Sequence, residues 1–336
     1  MYNPSDVGKK GSIFGFPYTQ EESELVLIPI HLDVTVSYGQ GTAKAPDIIL
    51  EESSQLDLSL VSIKEPWSLK VFMHDRIIKS SQNEIQRGRA KNIIKALEAG
   101  KEPEVDQVKF VNEYCEQVHK EVEGLATSLL QEGKQVAVVG GDHSSPLGLI
   151  RVLSKAHSFG ILQIDAHMDL RKDYEGFQYS HASIMYNALQ EEGVTSLTQV
   201  GIRDFSEEEE QFIASCEKSI NVFYDETCFN KRMNNQSWSK TVEEVIQTLP
   251  ESVYISFDMD GLDPSLCPNT GTPVPRGLQF NEAAYLLEQI VRSGKRIIGF
   301  DVCETGSETW DANVAARIIY RLSSLTGVSN GLLSFH

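Results

Sequence analysis

Three side chains of metal-binding type, Asp165, His167 and Asp169, stand two residues apart in Ile164-Asp-Ala-His-Met-Asp-Leu170. They close an apolar run, Phe159–Ile164, that predicts a buried strand. In extended chain, alternate residues point the same way, so one short segment can offer three ligands to one point. The device recurs at Asp258 and Asp260, after the run Val253–Phe257. A third run, Val136–Val139, leads into Gly140-Gly-Asp-His143. Three strand ends thus present His143, Asp165, His167, Asp169, Asp258 and Asp260, enough for two metal ions sharing bridging aspartates. Mixed carboxylate and imidazole donors suit Mn²⁺, Co²⁺, Ni²⁺ or Fe²⁺, and the weight of oxygen favours two Mn²⁺, with Ni²⁺ or Co²⁺ as substitutes. One such ion already lowers the pKa of water from about 16 to about 7, which supplies a nucleophile for a trigonal carbon at neutral pH. An isolated DxD or DxH pattern carries little weight, and a lone histidine is usually just packed. Six ligand types at three strand ends are hard to attribute to chance. Asp142 has two readings, as a turn former or as a partner orienting a metal-bound histidine.

Further strand-like runs fall at Leu25–Ile30, Leu197–Ile202, Asn221–Tyr224 and Arg296–Phe300. Helix-like stretches lie between most of them. Val108, Val111, Cys115, Val118, Val122, Leu125 and Leu129 form an apolar stripe at steps of three and four that ends near Gly133. Ala283–Ile290 and Val314–Leu322 read the same way. Glu207–Glu210 reads as the solvated first turn of a helix, where carboxylates suit the dipole. Alternating strand and helix predict an α/β fold, a parallel sheet covered on both faces. Sites in such sheets form at the carboxyl ends of the strands, where all six ligand candidates lie. The stretch 64–106, with Trp67 and a helix expected over Asn83–Glu98, is the least legible. It reads as an insertion, a lid or an oligomer contact within one domain spanning 1–336.

The 336 residues, 40% hydrophobic, fit one large α/β domain or two ordinary ones. A net charge of −18 repels phosphate backbones, so nucleic acid is not an expected partner; an acidic surface can draw in cationic small molecules, while most of these charges read as serving solubility. No apolar run reaches the ~20 residues that span a bilayer. With no secretory signal pattern at the start of the chain, a cytoplasmic location is expected. Five scattered cysteines without CxxC spacing read as free thiols.

Gly140-Gly-Asp-His-Ser144, Asp165-Ala-His-Met-Asp169 and Ser256-Phe-Asp-Met-Asp-Gly-Leu-Asp-Pro-Ser265 resemble, in order and spacing, the three signature motifs of the ureohydrolase (arginase/agmatinase) family. Agreement runs from about Gln135 to the C-terminus, and more loosely over Leu25–Leu50. The resemblance implies a three-layer α/β/α sandwich with a mostly parallel, about eight-stranded sheet. It implies two Mn²⁺ ions, hydrolysis of a guanidino group to urea and an amine, and a homo-oligomer, trimer or hexamer. It makes His143 and Asp169 ligands of one ion, His167 and Asp260 ligands of the other, and Asp165 and Asp258 bridges. His181 matches the family's proton shuttle near the substrate, consistent with an imidazole that titrates near neutrality. Glu304, after the strand Ile297–Phe300, matches the acid that grips the guanidinium, a planar cation that pairs naturally with a carboxylate. Asn269–Pro273 resembles a substrate-side loop.

The segment Leu170–Ala182, with Arg171, Tyr174, Glu175, Gly176, Ser180 and His181, resembles the agmatinase pattern and lacks the Ser-Gly-Asn segment common in arginases. Agmatine to putrescine is therefore the expected reaction, with Arg171 and Glu175 as further substrate contacts. Arg171 also suits a carboxylate, and Glu175 equally suits a turn. Arg276 stands where the family usually has glycine, in a loop that could face the substrate. Ala45-Pro46 replaces the expected Gly-Pro, and Thr305-Gly306 replaces the family's commoner Asx/Ser-Pro ending after the glutamate. Arginase, guanidinobutyrase-like and formimidoylglutamase activities stay open. A calcineurin-like phosphoesterase would present DxH first and add GHxH, which is absent here. A non-catalytic metal-binding relative would be expected to lose a ligand, and none is lost.

Overall fold

A computed structural model describes every residue except Met1, Ser5, Asp6, Tyr38 and Gln40. Its strands are β1 (Leu25–Pro29), β2 (Ile63–Lys64), β3 (Val71–Met73), β4 (Gln135–Val139), β5 (Phe159–Ile164), β6 (Val194–Ile202), β7 (Ser219–Tyr224), β8 (Ser252–Asp258), β9 (Arg296–Cys303) and β10 (Ser334–Phe335). Eight of them form one sheet in the order β3-β1-β4-β9-β8-β5-β6-β7. Every pairing in it is parallel. The short β2 and β10 pair separately and antiparallel.

Side chains alternate across the sheet as strand geometry requires. Leu25, Leu27, Ala137 and Val139 face one layer, while Val26, Ile28, Val136 and Val138 face the other. The first layer holds the helices Ala45–Ser53, Trp238–Thr248, Phe280–Arg292 and Thr309–Ser329. Ser80–Glu98, Val105–Gln131, Leu147–Ala156 and Ile184–Leu189 cover the opposite face. Strands β4, β9, β8 and β5 are shielded on both faces, which is why they read as largely apolar runs. This is the α/β/α sandwich that the sequence predicts, with a sheet that is parallel throughout.

The stretch 64–106 supplies the edge strand β3, paired to β1, and the helix Ser80–Glu98, whose Ala90, Ile93 and Ile94 are buried. Its strand is only three residues long and half-exposed, which hides it from periodicity. Glu207–Ser215 is a helix as expected, but its first turn is not fully solvated. Glu209 is buried, closes a capping box with Ser206, and accepts the Leu170 N–H at 3.1 Å.

Candidate metal centre and active site

Four adjacent strands, β4, β9, β8 and β5, aim their carboxyl ends at one point. The turn after β4 carries His143. It is tight because a Cβ on Gly141 would run into the Leu32 carbonyl, so only glycine fits. Asp142 is the turn former of its two readings: its Oδ1 accepts the Ser144 N–H at 3.0 Å and the Ser144 hydroxyl at 2.5 Å. Beyond β5 come Asp165, His167 and Asp169. Asp258 ends β8, Asp260 lies in the short turn Met259–Gly261, and Glu304 directly follows β9.

Five of these residues assemble into two groups that share Asp165, His143, Asp165 and Asp258 in one and Asp165, His167 and Asp260 in the other, while Asp169 falls in neither group. His143 Nδ1 lies 3.0, 2.9 and 3.3 Å from carboxylate oxygens of Asp165, Asp169 and Asp258, with no hydrogen-bond partner of its own. His167 Nδ1 lies 3.1 Å from Asp260 Oδ2 and 3.6 Å from Asp165 Oδ1. Three carboxylates round one imidazole nitrogen repel one another and are tolerable only with cationic charge among them.

The ionisation equilibria point the same way. Burial, then Asp260 and Asp165, push the Asp258 carboxyl well above the usual range. Burial and Asp165 push Asp169 up to about 7. Burial acts to lower His143, but the Asp165 and Asp169 carboxylates outweigh it and hold the imidazole well above its ordinary value. Asp165, by contrast, is held below the usual range, in spite of its burial, by His143 and His167; such mutual shifts mark a tightly coupled acidic cluster, to which divalent cations would add balancing charge. The oxygen-rich donor set and the shared aspartate fit a binuclear centre.

Behind the ligands stands a ring of orienting contacts. The Ser256 hydroxyl sits 2.9 Å from His143 Nε2, leaving Nδ1 to face the carboxylates. Gln163 donates to Asp165 Oδ2 at 2.7 Å and is itself held by Gln199. Thr272 donates to Asp260 Oδ2 at 3.3 Å, and Asp260 Oδ1 accepts the Ala166 N–H at 3.0 Å. These partners had a faint trace in the sequence. Gln163 and Ser256 are polar residues inside apolar runs, two positions ahead of Asp165 and Asp258 and so on the same face.

A cavity of about 210 Å³ opens beside the second group, with His167, Asp169, Arg171, His181, Glu209 and Thr272 in its wall. A narrow recess next to it is lined by Ser37, Gly271, Thr272, His181 and Glu304. His181 thus stands between the two spaces. Burial lowers its imidazole to about 4, with the charges of His167 and His143 adding to the shift, so the ring is neutral at pH 7. Glu304 Oε1 accepts the His143 N–H at 2.9 Å, while Oε2 is buried without a partner. Burial and Asp142 push its carboxyl well above the usual range. Asp169 and Glu304 both adopt left-handed backbone, φ +54 and +55, conformations that non-glycine residues avoid unless the surroundings impose them.

Arg171 lines the cavity and stacks over Tyr174, its carbon 5.0 Å from the ring centre. Glu175 is not brought to the cavity wall. It turns at φ +56, and its half-buried carboxyl is pushed up by burial and by Glu98, on the helix Ser80–Glu98. Arg276 does not face the cavity either; it pairs with Asp225 and Glu226 at 3.5 and 3.9 Å. All five cysteines are free thiols. Among the described residues, no helix is long and apolar enough to cross a membrane.

A parallel α/β sandwich with two carboxylate–imidazole groups sharing one aspartate defines a binuclear-metal hydrolase. Residues 23–323 match the arginase family, and the chain belongs to it. An N(1)-aminopropylagmatine ureohydrolase of Thermus thermophilus is 30% identical over 95% of this chain and 94% of its own length. The agmatine ureohydrolase of Thermoplasma volcanium superposes with a TM-score of 0.64 at 26% identity, covering 92% of each chain. The proclavaminate amidinohydrolase of Streptomyces clavuligerus, at 18% identity, shares the fold with a TM-score of 0.72 over 96% of this chain and 99% of its own.

Proposed function

We propose that this protein hydrolyses a guanidino amine to urea and an amine, with agmatine to putrescine as its reaction. One observation carries the reading: a buried, unpartnered Glu304 oxygen opens on a recess that His181 shares with the cavity beside the ligand groups. A guanidinium is the partner that restores charge to this carboxyl, since a planar cation with forked donors matches a carboxylate edge. His143 and Asp169 would hold one ion, and His167 and Asp260 the other, with Asp165 and Asp258 between them. Mn²⁺ is the proposed metal. Two such ions, when bound, supply the Lewis-acid charge that acidifies water and polarises the guanidine carbon.

The chain's own side chains do the rest. Glu304 orients the guanidinium, and the hydroxyls of Ser37 and Thr272 line the space around it. The neutral His181 ring takes a proton and passes it to the leaving amine. Arg171, its charge offset by the buried Glu209 4.0 Å away, narrows the cavity, and Asp204 makes the rim acidic, which suits a cationic tail. A longer polyamine tail is the second reading. The Thermus relative is named for such a substrate, and Asp204, 68% exposed at the rim, is placed for a second ammonium.

We place the protein in the cytoplasm as a single-domain homo-oligomer, trimer or hexamer, which light scattering tests. Urea release with Mn²⁺ from agmatine, N1-aminopropylagmatine, arginine, guanidinobutyrate and guanidine tests the activity. Urea from none of them would overturn it, and urea from arginine alone would overturn the preference for an amine tail.

A further inference from the structure

We propose that Arg203 is a positioning residue for the second metal position, the one formed by His167 and Asp260. The inference rests on the two-ion reading of the site. Arg203 follows directly on β6, and its main-chain N–H donates to Ala166 O at 2.8 Å, inside the segment that carries Asp165 and His167. Its side chain crosses to the other ligand segment. Nη2 donates to the carbonyls of Asp260, Leu262 and Val274 at 2.6, 3.2 and 3.0 Å. Nη1 donates to Gly201 O at 3.0 Å, and Nε to Pro275 O at 3.1 Å.

One guanidinium therefore gathers five main-chain carbonyls from three segments, among them the carbonyl of a ligand residue. The chain is shaped to admit it: a Cβ on Gly277, which sits at φ +108, would come 2.8 Å from Nη2 and 2.6 Å from Leu262 O. The consequence for the site is direct. The 274–275 carbonyls lie just past Thr272, whose hydroxyl holds Asp260 Oδ2. Ala166, fixed by Arg203 from one side, donates its N–H to Asp260 Oδ1 from the other. The main chain of Asp260 thus rests on the fork directly and its Oδ2 through the segment from Thr272 to Pro275, while the link to Oδ1 runs through the main chain of Arg203. Lysine would keep the charge and lose the fork, because an ammonium cannot span carbonyls lying in several directions.

The test is calorimetric titration of chelator-stripped Arg203→Lys with Mn²⁺, beside the wild-type chain and Arg321→Lys. The last replaces another half-buried arginine, which faces Glu288 far from the ligands and controls for general loss of stability. The wild type should take up two ions per chain. Arg203→Lys should take up one at wild-type affinity and the other 10- to 100-fold more weakly, the effect typical of lost orienting contacts. At limiting Mn²⁺ its urea release should fall, with recovery as Mn²⁺ is raised. Two ions at wild-type affinity, or two weakened equally as in Arg321→Lys, would overturn the proposal. If Arg203→Lys does not fold, Gly277→Ala, which crowds the guanidinium without removing it, is read by the same criteria. A wild-type chain that binds fewer than two ions would instead defeat the two-ion reading itself.

Discussion

Ser256→Ala is the most informative single perturbation of the first metal position. The hydroxyl is fully buried, and it lies 2.9 Å from His143 Nε2. Accepting the Nε2 proton fixes the tautomer that leaves the Nδ1 lone pair for a cation among Asp165, Asp169 and Asp258. Loss of an orienting partner of this kind typically costs 10- to 100-fold in metal affinity, or about 1.4 to 2.8 kcal/mol. A buried N–H left unpaired costs a similar amount, about 1–3 kcal/mol. One feature pulls the expectation to the lower end: Asp301 Oδ1 lies only 3.8 Å from the same nitrogen and becomes the next acceptor after a small ring rotation. The expected loss is therefore about tenfold at one position, ~1.4 kcal/mol. Mn²⁺ titration of the stripped variant should show one weakened ion and one unchanged. Turnover should return to near the wild-type rate once Mn²⁺ saturates. Unchanged affinity at both positions would refute the tautomer argument, and equal weakening at both would mean that Ser256 supports the fold and not His143.

His181→Ala should keep both ions and lose 10²- to 10⁴-fold in kcat, the usual range for a positioned proton-transfer group; loss of metal in calorimetry would mean that the residue is a ligand. His119 provides a pH test of stability. It is fully buried, with Nε2 3.1 Å from Ser144 O, and burial lowers its imidazole to about 3. The folded state thus holds it neutral while the unfolded chain protonates near 6.5. Its contribution is fully present above pH 6.5 and drains as pH falls toward 3, at about 1.4 kcal/mol per unit. His119→Gln, which can still donate to Ser144 O, should lose about 2 kcal/mol less than the wild type between pH 6.5 and 5 in urea melts; parallel acid limbs would assign that loss to other groups.

The sheet and the two carboxylate–imidazole groups were legible for the same reason. Strands buried on both faces read as apolar runs, and residues two apart at their ends converge. β5 was readable to the residue, and the long helix stripe needed only a few residues at its start, where Val105–Gln131 begins before Val108. β3 was not legible, because three residues at a sheet edge carry no periodicity. Glu209 was misread because a run of four glutamates hides which one turns inward, a choice made by the Leu170 N–H and Ser206. Glu175 and Arg276 lie in loops, where sequence gives residue types but not the direction of a side chain. Arg203 left no mark either, since its partners are carbonyls that every residue possesses.

The left-handed backbone at Asp169 and Glu304 sets these two positions against the stability of the chain. Glycine at 169 would relieve roughly 1 kcal/mol of conformational penalty, and asparagine part of it, whereas at 304 it would also give up the bond accepted from the His143 N–H; at either it removes a carboxylate that the proposed chemistry uses. Copies of this gene freed from selection for turnover should therefore drift to glycine or asparagine at 169 early. They would melt at higher temperature than their active ancestors, so an unusually heat-resistant homologue with such a replacement marks a lineage that has abandoned catalysis.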